Sequence, residues 1–146
     1  MSNNTGRVSQ IIGPVVDVTF DNDNQELPNI YDSLEIIREN GQKLILECQQ
    51  HIGEDTVRAI SMETTDGISR GAEVNATGAP IKMPIGENIK GRVFNVIGNA
   101  IDGMEELEKS SGLPIHRDPP KFEDLSTSTE VLFTGIKVID LIEPYA

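Results

Sequence analysis

Residues 33–62, SLEIIRENGQKLILECQQHIGEDTVRAISM, decide the fold. Three apolar runs lie in this stretch: Ser33–Arg38, Lys43–Gln49 and Thr56–Met62. Glu39-Asn40-Gly41 separates the first two and Gly53-Glu54-Asp55 the last two. Alternation of apolar and polar residues is the period of a half-buried strand, whose neighbours point to opposite faces. It places Leu44, Leu46 and Cys48 on one face. Asn-Gly tolerates the positive φ of a tight hairpin turn, so the first two runs are predicted to pair antiparallel.

The same grammar extends both ways. Upstream, Arg7–Ile12 runs into Gly13-Pro14, and Val15–Phe20 stops at Asp21-Asn22-Asp23-Asn24. Downstream, Thr64-Thr65-Asp66-Gly67 makes a turn before Ala72–Thr77, which ends at Gly78-Ala79-Pro80. Six short runs at spacings of about ten residues, without a helical period between them, predict a small all-β barrel or sandwich. Closure removes exposed strand edges, which favours a six-stranded antiparallel barrel over residues 1–80. Val15, Val16 and Val18 cannot all face inward; Val16 and Val18 are expected inside.

After Pro80 the pattern changes. Gly91–Ile97 reads as one more strand, and Glu105–Lys109 as a single helical turn. Pro114, Pro119 and Pro120 favour extended backbone. Thr134 is the expected N-cap of a short helix carrying Ile136, Ile139 and Ile142, stopped by Pro144. Residues 81–146 therefore read as a second, incomplete domain. Gly6-Arg7-Val8, Ile11-Ile12-Gly13 and Asp17 recur as Gly91-Arg92-Val93, Val96-Ile97-Gly98 and Asp102. Convergence of two strand-glycine pieces accounts for this echo better than duplication.

Composition excludes several functions. The net charge is −12, with 24 acidic and 12 basic residues and no basic stripe to neutralise phosphates, so nucleic-acid binding is not expected. The core must be aliphatic, because Trp is absent and aromatics are 4%. The single cysteine, Cys48, reads as a small buried hydrophobe rather than a reactive thiol. The first residues lack the apolar core of a secretory leader, and no apolar run reaches the roughly 20 residues of a membrane helix. A soluble, cytoplasmic-type chain is expected.

Catalytic constellations are likewise missing. His51 and His116 lie far apart without cysteine partners and read as surface or hydrogen-bonded residues. There is no nucleophile-elbow serine and no Gly-Lys dipeptide, hence no phosphate-binding loop. Glu54-Asp55 and Glu105-Glu106-Leu107-Glu108 read as solvated acids. No catalytic, cofactor-binding or metal-ligating residue is expected in this chain.

Several stretches together resemble the beta subunit of F-type ATP synthase. They are Gly6–Phe20, Leu27–Leu34, Gln49–Arg58 with Thr65–Gly71, and Pro114–Arg117 through Thr134–Ile142. The Gln49–Arg58 block separates the beta type from the paralogous alpha type. The resemblance implies an N-terminal six-stranded barrel followed by the start of a P-loop α/β nucleotide-binding domain. It implies a full subunit that makes ATP from ADP and phosphate, driven by a transmembrane proton or sodium gradient, with Mg-ATP/ADP as its ligand. The implied partners are alpha subunits in an alternating hexameric ring and a gamma rotor subunit. The implied location is the cytoplasmic face of the cell membrane, or the equivalent organelle membrane, reached only through the Fo sector. The family's phosphate loop, water-orienting carboxylate and adenine-stacking aromatics would follow Ala146, so this fragment should supply the barrel and be inactive alone. Two rivals are a free-standing β-barrel binding module and a non-catalytic paralogue of the same ring.

Overall fold

The computed structural model describes residues 4–20, 26–53, 55–107, 112–126, 128 and 130–145. Six antiparallel strands, β1 (Asn4–Ile12), β2 (Val15–Phe20), β3 (Asp32–Ile37), β4 (Lys43–His51), β5 (Thr56–Ser61) and β6 (Glu73–Pro80), form a closed barrel. Around the barrel the order is β1-β2-β5-β4-β3-β6. The described residues of the barrel contain no helix. All six expected strands are present, with ends shifted by a few residues because ladder pairing, not propensity, sets where a strand stops.

Register makes the core. Val8, Val18 and Val57 stand in one row across β1, β2 and β5, and Ile11, Val16, Ala59 and Cys48 in the next. Val16 and Val18 face inward and are fully buried, as are Leu34, Leu44, Leu46, Cys48 and Val74. Phe20 is the one aromatic of the core and lies directly opposite Gly6. A Cβ on Gly6 would stand 2.9 Å from the Phe20 ring and 2.9 Å from the Thr19 carbonyl, so the glycine makes room for the ring. Ladder irregularities between Val8 and Gln10, between Cys48 and Gln50, and between Asp32 and Leu34 increase local twist and help a narrow sheet close.

At Asn40-Gly41 the chain turns as anticipated, with Gly41 at φ 80° and its amide donating to the Arg38 carbonyl. The Arg38 guanidinium donates to the carbonyls of Thr64 and Asp66, tying this hairpin to the turn at Gly67. The expected turns at Asp21–Asn24 and at Glu54 lie outside the described residues.

Beyond Pro80 the structure corrects the sequence reading. Gly91–Ile97 is not a strand; only Phe94 forms an isolated bridge, to Ala100. The segment folds instead around Arg92, which donates two hydrogen bonds to Asp102, at 2.5 and 3.1 Å, and one to the Glu105 carbonyl. Asp102 also accepts from the amides of Val93 and Met104, and the Arg92 guanidinium holds its carboxyl well below the usual carboxylate range. A side-chain hub thus replaces a ladder. The echo of residues 6–17 is not structural: Arg7 donates to the Gly71 carbonyl and Asp17 pairs with Arg58. Glu105–Leu107 carry no helix; the remainder of the expected helical turn lies outside the described residues.

The barrel and its continuation to His116 form one compact unit, Met1–His116. Within it β7 (Lys82–Met83) pairs antiparallel with β8 (Leu113–Pro114), and the Ile115 amide donates to the Ile81 carbonyl. Arg117–Ala146 is a second unit. It holds the helix α1 (Lys137–Ile142), whose N-cap is Ile136 rather than Thr134. Asp140 accepts from the Thr134 amide and hydroxyl and the Gly135 amide, so the carboxylate reaches back to organise the turn before the helix. No residue of α1 is buried, and Phe122, Phe133 and Leu141 are at least 80% exposed.

Candidate functional site

The outer wall of the barrel carries three features that could serve a function. The first grows from Glu47, flanked on β4 by Leu46 and Cys48. Those two point inward, so Glu47 points outward, yet it is 4% exposed. A desolvated carboxylate is costly unless both oxygens find donors. One oxygen accepts from Gln49 Nε2 at 2.6 Å, and the other lies 3.0 Å from His116 Nε2. The His116 ring stacks on Tyr31, with centroids 4.1 Å apart and planes 22° from parallel.

Tyr31 is placed by the turn before β3. Asp32 accepts from the backbone amide and the side-chain amide of Asn29, its own amide donates back to the Asn29 carbonyl, and the Tyr31 amide donates to the Cys48 carbonyl at 2.7 Å. The cost of this geometry is a left-handed backbone at Tyr31, φ 73°, the one positive-φ residue other than glycine among the described residues. His51 secures the same turn, its Nε2 lying 2.8 Å from the Pro28 carbonyl. Both histidines therefore sit in hydrogen-bonded positions, as their sequence contexts suggested.

The second feature is the pair Asp17–Arg58, directly opposite one another on β2 and β5. Two hydrogen bonds of 2.8 and 2.9 Å join them. The Arg58 guanidinium holds the Asp17 carboxyl below its ordinary value, against the opposing effect of burial. Beside it, Thr19 and Thr56 hydroxyls meet at 3.2 Å, and Ile12, Val15 and Ile60 form a cross-strand apolar row in which Ile12 and Ile60 are exposed. The third feature is an open groove of about 690 Å³ against β3 and β4, lined among others by Ser33, Glu35, Lys43, Ile81 and Lys82.

The polar groups of the first two features are paired with one another. Burial pushes the Cys48 thiol above its ordinary value, helped by the nearby charges of Asp32 and Glu47, which lowers its thiolate fraction. Among the described residues no group of three or more His, Cys, Asp or Glu could hold a metal ion, and no helix is long and apolar enough to cross a membrane. Sequence reasoning missed Glu47 and Tyr31. An outward acid in an alternating strand is normally solvated, and nothing local marks this one as covered. Residues 8–78 match the family model described as ATP synthase alpha/beta family, beta-barrel domain, a span that covers nearly all of the barrel and just under half of the chain.

Proposed function

We propose that this chain is the N-terminal part of the catalytic beta subunit of a rotary ATP synthase, in which the barrel joins the alternating alpha and beta ring around a gamma rotor. The barrel domain belongs to the alpha/beta family by its matched span. The assignment to the beta type rests on the Gln49–Arg58 block, which occupies the end of β4, the turn and the start of β5. Exposed Ile12, Ile37 and Ile60 suit a barrel that packs sideways against others.

The residues present do not fit Mg-ATP. They include no Gly-Lys dipeptide and carry a net charge of −12, which opposes a polyanion. ATP synthesis, its magnesium ion, the ion gradient and the membrane-peripheral location belong in this reading to the whole subunit and its partners. Residues 81–146 are then the first part of the nucleotide-binding domain, and the uncovered apolar face of α1 is the side that such a domain would bury.

A graft tests the reading. Residues 1–80 replace the barrel of the beta subunit in a reconstituted ATP synthase, or that of the alpha subunit. The beta graft should assemble a hexamer that hydrolyses ATP, and the alpha graft should not. Assembly only with the alpha graft, or with neither, would overturn the beta assignment, and failure of both favours a free-standing barrel module.

A further inference from the structure

The geometry points to a releasable clasp, made by Tyr31, Glu47 and His116, that holds the β7–β8 strand pair to the barrel. Three observations converge on it, independently of the proposed subunit assignment. Glu47 is buried on the outer wall of β4, and one of its oxygens has His116 as its hydrogen-bond partner. Tyr31 keeps a left-handed backbone that its neighbours do not share, and its ring lies flat on His116. His116 is the last residue of the compact unit that contains the barrel, two residues past the end of β8 and next to Ile115, whose amide is bonded to the Ile81 carbonyl.

The rest of the β7–β8 attachment is thin. The pair consists of two residues from each strand, and Leu113 and Ile115 are both about 40% exposed. Ile81 and Pro84 are buried there, and Gly98, also buried and at φ 76°, packs its backbone against Lys82, Pro84 and Met83. A short two-stranded ribbon is marginal without packing against something larger. The clasp supplies that packing at one point: the imidazole covers Glu47, Glu47 supplies the acceptor, and Tyr31 closes the other face of the ring. With the clasp closed, β8 is bound to the barrel wall. With it open, residues 112–116 are held by little more than the ladder to β7, and the barrel, whose closure does not involve them, is unchanged.

Amide exchange on the whole 146-residue chain, with Tyr31→Asn and His116→Ala variants, tests this. Asparagine suits the left-handed backbone and preserves the turn while removing the ring. Both variants should accelerate exchange of the Ile115 amide at least tenfold and leave the Leu46 and Val57 amides of the barrel unchanged. The double variant should accelerate it no further than His116→Ala alone, since that substitution already removes both the stack on Tyr31 and the hydrogen bond to Glu47. Unchanged Ile115 exchange in both variants would overturn the clasp. Equal acceleration at Leu46 and Val57 would overturn it too, because Tyr31 and His116 would then serve the barrel itself.

Discussion

Asp17 and Arg58 face each other across the β2–β5 ladder, joined by hydrogen bonds of 2.8 and 2.9 Å, with the carboxylate side chain 6% exposed and the guanidinium 41% exposed. The pair is a cross-strand staple on the outer wall, wet on one side. Asp17→Asn removes the charge and one acceptor while keeping the shape. Bonds to charged groups contribute up to a few kcal/mol; with one partner half in water, a loss of about 1 kcal/mol is expected. Because the folded carboxyl titrates below its unfolded value, the contribution is present above the unfolded pKa and lost as pH falls through the folded one. Urea midpoints of the two proteins should therefore differ at neutral pH and converge in acid. A gap that persists undiminished in strong acid would contradict this account.

Gly6→Ala should destabilise the barrel by about 1–3 kcal/mol, the usual cost of overpacking a filled core. The added methyl meets both the buried Phe20 ring and the Thr19 carbonyl, and a backbone atom cannot step aside. The denaturant midpoint measures it, and an unchanged or higher midpoint would refute the close-approach argument.

Cys48 should resist a maleimide in the folded chain and react stoichiometrically once denaturant unfolds it. Its side chain is fully buried, and burial raises the thiol above its ordinary value, so folded reactivity stays low even at mildly alkaline pH. Rapid labelling without denaturant would show that the barrel wall opens at β4.

Asp140→Ala should melt α1 without touching the barrel. The carboxylate gathers three donors from Thr134 and Gly135, and those bonds hold it below its ordinary pKa. Exchange of the Asp140 and Glu143 amides, which close the helix, should accelerate several-fold. The same acceleration should develop in the unsubstituted chain as pH falls through the depressed value, once intrinsic pH effects are divided out. Unaltered exchange in the variant would mean the helix holds without its carboxylate.

Calorimetry of the 146-residue chain with Mg-ATP should show no micromolar binding. No phosphate-cradling loop is present, and the charge of −12 repels the nucleotide. Tight binding would reveal a nucleotide site among residues read here as structural, with the groove against β3 and β4 the first place to look.

The six strands, the Asn40-Gly41 turn and the inward Val16 and Val18 were legible in the residues, because alternation and turn chemistry are local and one-face burial leaves little freedom of register. Cys48 was legible for the same reason: it shares a face with Leu44 and Leu46. What tertiary structure alone decided is everything that depends on a partner distant in the chain. Closure by β1–β6 and β3–β6 pairing brings together strands more than 35 residues apart, and periodicity carries no information about which edges meet. Val93–Ile97 has the composition of a strand, yet the Val93 amide goes to Asp102 of the Arg92–Asp102 hub, the Asn95 amide to the Asn99 carbonyl and the Ile97 amide to the Asn95 side chain, so no ladder runs along it. Thr134 looked like an N-cap, and its hydroxyl does accept from the Ile136 amide, but the helix starts only after Ile136, and the Thr134 amide and hydroxyl donate to Asp140, six residues later. Glu47 and His116 are 69 residues apart and invisible to each other in sequence. They meet because a carboxylate covered by a later segment must find a donor there, a constraint that exists only after the chain has folded back on itself.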